Sequence, residues 1–304
     1  MDALGNHHRR NWLKSTCTHL LGAATMPYCV LRRAAGAEEK TADEGGIAEQ
    51  PLGVGRISNN RRPMIDLDFA DDRGLAQWQV PELVLFGNTD RSTMITGTVP
   101  WKHDQASGDW GYDYVVPDRQ LRSTLNVNQI DEGWVGSLTL TNLSDGPWSD
   151  IVAVVCLFLR AAGPLRDGNW SQTYYRSGGR LLSYANRPRT GGSNPRYQMS
   201  LVAGKKQIER TQRHINKWAF TKEPSDDGII GVVSQGGTTV LTTAWQQAHH
   251  LQANLRPTNY CMHSNPWFGE IGAGQSKTLR GCVLVTAGSL EHAWRKTTEV
   301  LALV

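Results

Sequence analysis

Long apolar runs are missing from this chain: nowhere do 18 apolar residues stand together, the least a membrane-spanning helix needs, so no such helix is expected. Cysteine is scarce, with 5 in 304 residues, which excludes a scaffold built on disulfides. Phenylalanine is scarce too, at 5 against 11 tryptophans. Reaction-fixing motifs are also lacking. There is no Gly-x-Ser-x-Gly elbow, P-loop, dinucleotide fingerprint, His-Glu-x-x-His or Cys-x-x-Cys pair, so hydrolase-triad, nucleotide-binding and zinc-protease chemistry have no support. No repeat, heptad or low-complexity array occurs.

What is present begins with an uneven distribution of charge. The whole chain carries +4, but Arg9, Arg10, Lys14, Arg32 and Arg33 against Asp2 alone fall within residues 1–37, and without them the formal charge is zero. The basic balance therefore belongs to the leader and gives no argument for nucleic-acid binding. His8-Arg9-Arg10-Asn11-Trp12-Leu13-Lys14, a modestly apolar run from Ser15 to Leu31, and the small residues Ala35-Gly36-Ala37 resemble a twin-arginine export signal with its cleavage site. That resemblance implies a cleaved signal over 1–37 and a periplasmic or extracellular protein. Residues 38–62, rich in Glu, Ala, Gly and Arg, read as a flexible lead-in, and 63–304 as a single domain.

Within that domain the dominant pattern is alternation. Leu121, Ser123, Leu125 and Val127 share one face, as do Trp134, Gly136, Leu138 and Leu140, with Asp131-Glu132-Gly133 between them as a hairpin turn. Ile151–Leu159 is apolar throughout and Val-rich, which predicts a central strand buried on both faces. Further strands are expected at Met64–Phe69, Leu83–Phe86, Thr173–Arg176, Arg180–Ser183, Gly228–Val233, Thr238–Trp245 and Lys277–Val285. Ser289 followed by Leu290, Ala293, Trp294, Thr297 and Leu301 predicts a capped amphipathic helix. Many strands and few helices define a mainly β fold: a large antiparallel two-sheet sandwich of jelly-roll or supersandwich type with a C-terminal amphipathic helix. Its size and its late His-bearing segment resemble, at fold level, the galactose-mutarotase-like sandwiches, which implies carbohydrate processing without assigning residues.

The densest chemistry is Cys261-Met262-His263-Ser264-Asn265-Pro266-Trp267-Phe268-Gly269-Glu270, where Pro and Gly predict a turning loop. An imidazole works as acid or base near neutral pH. His263 and Glu270 are therefore the proton-transfer candidates, and Tyr260 is the acid a lyase would need. Arg256 or Arg280 would neutralise a sugar carboxylate. Trp101, Trp110, Trp148, Trp170 and Trp267 lie beside Gly, Pro, Asp or Asn and read as loop residues, and Trp101, Trp110, Trp170 and Trp267 are the candidate sugar platforms. The competing explanation is that tryptophan fills a wide core and that His263 bonds a buried carbonyl. His249, His250, His263, Cys261 and Glu270 contain ligands for a divalent metal, but at no recognised metal spacing, and two adjacent histidines in a strand point to opposite faces; no metal site is assigned. Cys156 reads as a buried hydrophobe, while Cys261 and Cys282 are close enough in sequence to be a disulfide pair. The expected function is binding or processing of a glycan ligand outside the cytoplasm, of epimerase or lyase type if catalytic. The alternative is a non-catalytic envelope interaction module in which 261–270 is a structural corner. An exposed His263 in a cleft favours the first, and a buried His263 beside a flat or apolar surface the second.

Overall fold

The computed structural model describes residues 56–57, 63–68, 74–87, 92–95, 98–116, 120–185, 187–208, 218–256 and 259–304. The expected export signal over 1–37 and most of the expected lead-in lie outside these residues. In chain order the strands are β1 (Arg56–Ile57), β2 (Met64–Asp68), β3 (Leu75–Leu85), β4 (Ser92–Met94), β5 (Lys102–His103), β6 (Trp110–Val116), β7 (Leu121–Ile130), β8 (Gly133–Asn142), β9 (Trp148–Ala161) and β10 (Thr173–Ser177). There follow β11 (Arg180–Ser183), β12 (Arg189–Thr190), β13 (Tyr197–Leu201), β14 (Ala219–Thr221), β15 (Ile229–Val233), β16 (Thr239–Trp245), β17 (Ala248–Asn254), β18 (Cys261–Ile271) and β19 (Ser276–Ala287), and the chain closes on helix α1 (Leu290–Leu303).

Two sheets result. One has ten strands in the order β1-β2-β3-β9-β18-β17-β13-β14-β12, with β4 paired to β3; the other has nine, β11-β10-β15-β16-β19-β8-β7-β6-β5. Pairing is antiparallel except between β13 and β14. The hairpin over 121–142 forms as expected, Leu121 opposite Asn142 and Ile130 opposite Gly133, because its alternation leaves one register that buries every apolar residue. β9 runs between β3 and β18 with both faces covered, as its unbroken apolar run requires.

The faces of the two sheets enclose a core that includes Trp78, Trp134, Trp245, Leu157, Met262 and Phe268, all at most 2% exposed. Gly281 is required by this packing, since a Cβ there would lie 2.3 Å from Trp245 Cδ2. Helix α1 covers the outside of the nine-stranded sheet, packing Trp294 against Ile229, Ala244, Cys282 and Leu284. Ser289 caps it, its Oγ accepting the His292 N–H at 3.2 Å, and Trp294 Nε1 donates to Asp227 Oδ2 at 3.1 Å.

Three expectations are corrected. The segment 261–270 is not a loop but the body of β18, in the middle of its sheet. Pro266 and Gly269 are absorbed by an irregular ladder, with register shifts beside Gly269, which takes φ 64°; this is where Pro and Gly are tolerated inside sheets. Cys261 and Cys282 lie on different sheets and form no disulfide. Trp110, Trp148 and Trp267 belong to strands; Trp148 and Trp170 are buried in the core, and Trp101 and Trp110 pack against it.

Candidate functional site

Strand alternation divides β3, β9, β18 and β17 into two sets of side chains. Trp78, Val80, Val155, Leu157, Met262, Leu251 and Ala253 face the core. Their neighbours Gln77, Gln79, Cys156, Cys261, His263, Asn265, Gln252, Asn254 and His250 face the other way, and every one is at most 8% exposed. The outer face of the ten-stranded sheet is thus a buried polar field. An apolar cluster of Leu85, Val152, Val154 and Trp267 borders it on one side and one of Tyr197, Met199 and Trp218 on the other.

Register fixes a row across four strands. Gln79 is opposite Cys156, and Gln252 opposite His263. Extending the Cys261–Phe158 and Met262–Leu157 pairings by one step sets His263 beside Cys156. Between these pairings and Trp267–Val152 the β9–β18 ladder is open. There Asn265 Oδ1 accepts the Val155 N–H at 3.0 Å while its Nδ2 donates to Gln252 Oε1 at 3.1 Å.

His263 Nε2 lies 3.1 Å from Cys261 Sγ, and Asn254 Nδ2 lies 3.6 Å from the same sulfur. Burial alone would raise the Cys261 thiol, but the hydrogen bond from Cys156 and the charge of His263 outweigh it and bring it down to about 6. Burial likewise opposes a charged His263, yet Cys261 and Glu82 together raise it. The pair is therefore biased toward thiolate and imidazolium. The Val155 backbone also favours the protonated ring without a hydrogen bond of good geometry to Nδ1. Trp218 meets the ring edge-on, at 6.1 Å between centroids.

At one end of the field the surface opens into a cavity of about 610 Å³, lined by Gly87, Asp150, Lys205, Gln207, His249 and Trp267 among others. Lys205 Nζ stands 3.9 Å from the centroid of the Trp267 ring, a cation–π distance. Burial lowers the Lys205 pKa, and the ammonium has no ion pair among the described residues. Trp267 Nε1 is buried without a hydrogen-bond partner. Asp150 is exposed and holds a left-handed backbone, φ 51°, a conformation uncommon outside glycine, asparagine and aspartate.

The two histidines behind this cavity overturn the expectation of opposite faces. A bulge in β17 between Ala248 and His250 brings their Nδ1 atoms to 2.9 Å. His249 Nε2 lies 2.9 Å from the Lys206 carbonyl oxygen, which can only accept, so Nε2 carries the proton. Nδ1 of neutral His249 then accepts from Nδ1–H of His250, leaving the His250 Nε2 lone pair buried and unpartnered. Burial, then the Lys205 charge, lowers His249 against the opposing Lys206 carbonyl and Asp150; burial and the two neighbouring histidines hold His250 well below the ordinary range.

The sequence-derived candidates separate. His263 is 4% exposed, the buried state expected of a structural segment and not of a sugar-contacting cleft. Glu270 is exposed seven positions along the same strand, about 23 Å away at the rise of an extended chain, so the two do not form an acid/base pair. Tyr260, 9% exposed, is raised by burial and by Asp167, with Arg166 Cζ 5.3 Å from its ring centroid. Arg256 is exposed, and Arg280, also exposed, donates to the Val304 carbonyl. Trp101 meets Tyr112 edge-on at 5.1 Å, Trp110 stacks on His103 at 4.1 Å, and Trp170 packs on Tyr184 at 6.0 Å. Of the candidate set, Trp267 alone lines the large cavity. Lys205, Asp150 and the role of Cys156 were missed: Lys205 follows a turn and Asp150 lies near the start of β9, neither in a motif, and Cys156 sits in a run read as wholly apolar.

No family model matches the chain, and no curated protein matches its sequence. Among solved structures it is similar to a galactose mutarotase-like protein from Lactobacillus casei at 10% identity and TM-score 0.43, over 79% of this chain and 99% of that one. A galactose mutarotase-like protein from Clostridium acetobutylicum matches at 11% identity and TM-score 0.41, over 78% and 99%. A polysaccharide lyase matches at 11% and 0.40, over 79% of this chain and 33% of that one. With these TM-scores below 0.5, the functional reading rests on this chain's own residues.

Proposed function

We propose that the protein binds an acidic saccharide in the cavity beside Trp267. The observation that carries this reading is the Lys205 ammonium poised 3.9 Å from the indole centroid at the edge of a space of about 610 Å³, a volume typical of ligand sites. The ammonium, without an ion pair among the described residues, offers a saccharide carboxylate a counter-charge, and the indole beneath it borders the same space with its remaining surface. Asp150 and Gln207 supply partners for hydroxyls. Binding is favoured over turnover because both ring nitrogens of His249 are engaged within the protein and His263 is enclosed. Export is part of the proposal; its support is the Arg9-Arg10 pair followed by Ala35-Gly36-Ala37.

Calorimetry with polygalacturonate and with neutral dextran tests the reading. Polygalacturonate should bind, dextran should not, and Lys205→Met and Trp267→Ala should each weaken binding at least tenfold with unchanged circular dichroism. Equal binding of both polymers, binding of neither, or undiminished binding by Lys205→Met would overturn it.

A further inference from the structure

Two thiols and an imidazole meet inside the polar field, from strands far apart in the sequence. The donor atoms of Cys156, Cys261 and His263 all lie within 4.8 Å of one another, and among the described residues no other group of three His, Cys, Asp or Glu side chains has this geometry. Cys156 is 1% exposed, Cys261 6% and His263 4%. Gln79 lies across the ladder from Cys156. It is 0% exposed, and its amide is unpartnered at both Oε1 and Nε2. A primary amide buried without a hydrogen bond costs free energy. Residues directly opposite in adjacent strands share a face with Cβ atoms about 5 Å apart, so this amide is the candidate for a fourth ligand.

We propose that Cys156, Cys261 and His263, with the Gln79 amide oxygen or a water it holds, form a tetrahedral site for one zinc ion. Thiolate sulfur and imidazole nitrogen are zinc's preferred donors, and bonds of about 2.3 Å to sulfur and about 2.0 Å to nitrogen imply a sulfur–nitrogen edge of about 3.5 Å, so the 3.1 Å edge between Cys261 and His263 must open by a few tenths of an ångström within a cluster no wider than 4.8 Å. Charge selects the metal. Two thiolates neutralise one divalent ion, so the filled site is electrically neutral, as burial demands, whereas a monovalent copper ion would leave a net negative charge inside the protein. On binding, the Cys156 thiol and the His263 imidazolium each give up a proton to solvent while Cys261 already supplies a thiolate, two protons for one metal ion, with no change in oxidation state. Coordination through His263 Nε2 leaves Nδ1 buried without a hydrogen-bond partner, the position where an outer partner orients metal-bound histidines. The site has no open sugar-facing side, so its role is to lock β3, β9 and β18 together.

Cobalt(II) titration of the reduced, untagged protein provides the test, because cobalt occupies zinc sites and reports thiolate ligation. One equivalent should produce a thiolate-to-cobalt charge-transfer band and the intense visible bands of tetrahedral cobalt, and one equivalent of zinc should abolish them. Cys156→Ser and Cys261→Ser should each lose most of the charge-transfer band, while Cys282→Ser, outside the site, should keep it. Zinc-edge X-ray absorption of the wild type alone should show two sulfur and two nitrogen or oxygen neighbours, so the proposal can be judged even where a variant does not fold. Absence of the bands, sulfur-free zinc ligation, or bands undiminished in Cys156→Ser would overturn it.

Discussion

The Nδ1 atoms of His249 and His250 lie 2.9 Å apart, a contact between consecutive residues that a regular strand forbids and that the β17 bulge creates. Both rings are held neutral by burial and face Lys205, Asp150 and His263. Because the unfolded chain binds protons at these histidines more readily than the folded one, stability falls as pH drops below the unfolded value of about 6.5 and continues to fall toward the lower folded values. The expected slope is up to about 1.4 kcal/mol per pH unit for each proton taken up. Urea midpoints between pH 7 and 5 should fall less steeply in His250→Gln than in the wild type; identical slopes would refute the assignment.

Asn265 completes a ladder that the backbone leaves open. Asn265→Ala strips the buried Val155 N–H of its acceptor and should cost about 1–3 kcal/mol, read from the denaturant midpoint at an unchanged m-value. A cost near zero would mean that water takes the place of the amide.

Gly281→Ala drives a methyl group to 2.3 Å from Trp245 Cδ2. Overpacking of this kind costs about 1–3 kcal/mol or more. The variant should unfold at lower temperature and show an altered near-ultraviolet tryptophan signal, because Trp245, whose ring centroid lies 5.8 Å from that of Trp78, must shift to admit the methyl group.

Trp294→Phe keeps the helix packed on the sheet but removes the donor to Asp227 Oδ2. Asp227 is already raised by burial, against its hydrogen bonds from Ile229 and Trp294, so losing one of them should raise it further. The expected loss is about 1.5–3 kcal/mol, as for hydrogen bonds to charged groups. Thermal melts at pH 7 measure it, and a change below 0.5 kcal/mol would contradict the structure's account of how α1 is fastened.

The sequence disclosed those elements whose local pattern and tertiary environment agree. The 121–142 hairpin, the doubly buried β9 and the Ser289 cap were legible because alternation, unbroken apolarity and a cap residue each have one structural solution. β18 was not, because Pro266 and Gly269 mimic a turn in one dimension and become bulges only when β9 and β17 flank them. The candidate site was legible in part. Trp267, Cys261 and His263 stood out by their chemistry, but Cys156 was hidden in an apolar run. Lys205 and Asp150 owe their places to a cavity closed by segments distant in the sequence, which no window of sequence contains.

The row from Gln79 through Cys156 and His263 to Gln252 joins strands from the beginning, middle and end of the domain. Long-range antiparallel pairings of this kind form slowly, and the two thiols are shielded only once β9 and β18 have paired. During refolding they therefore act as a clock: timed alkylation followed by mass spectrometry would date the moment at which these two central strands come together.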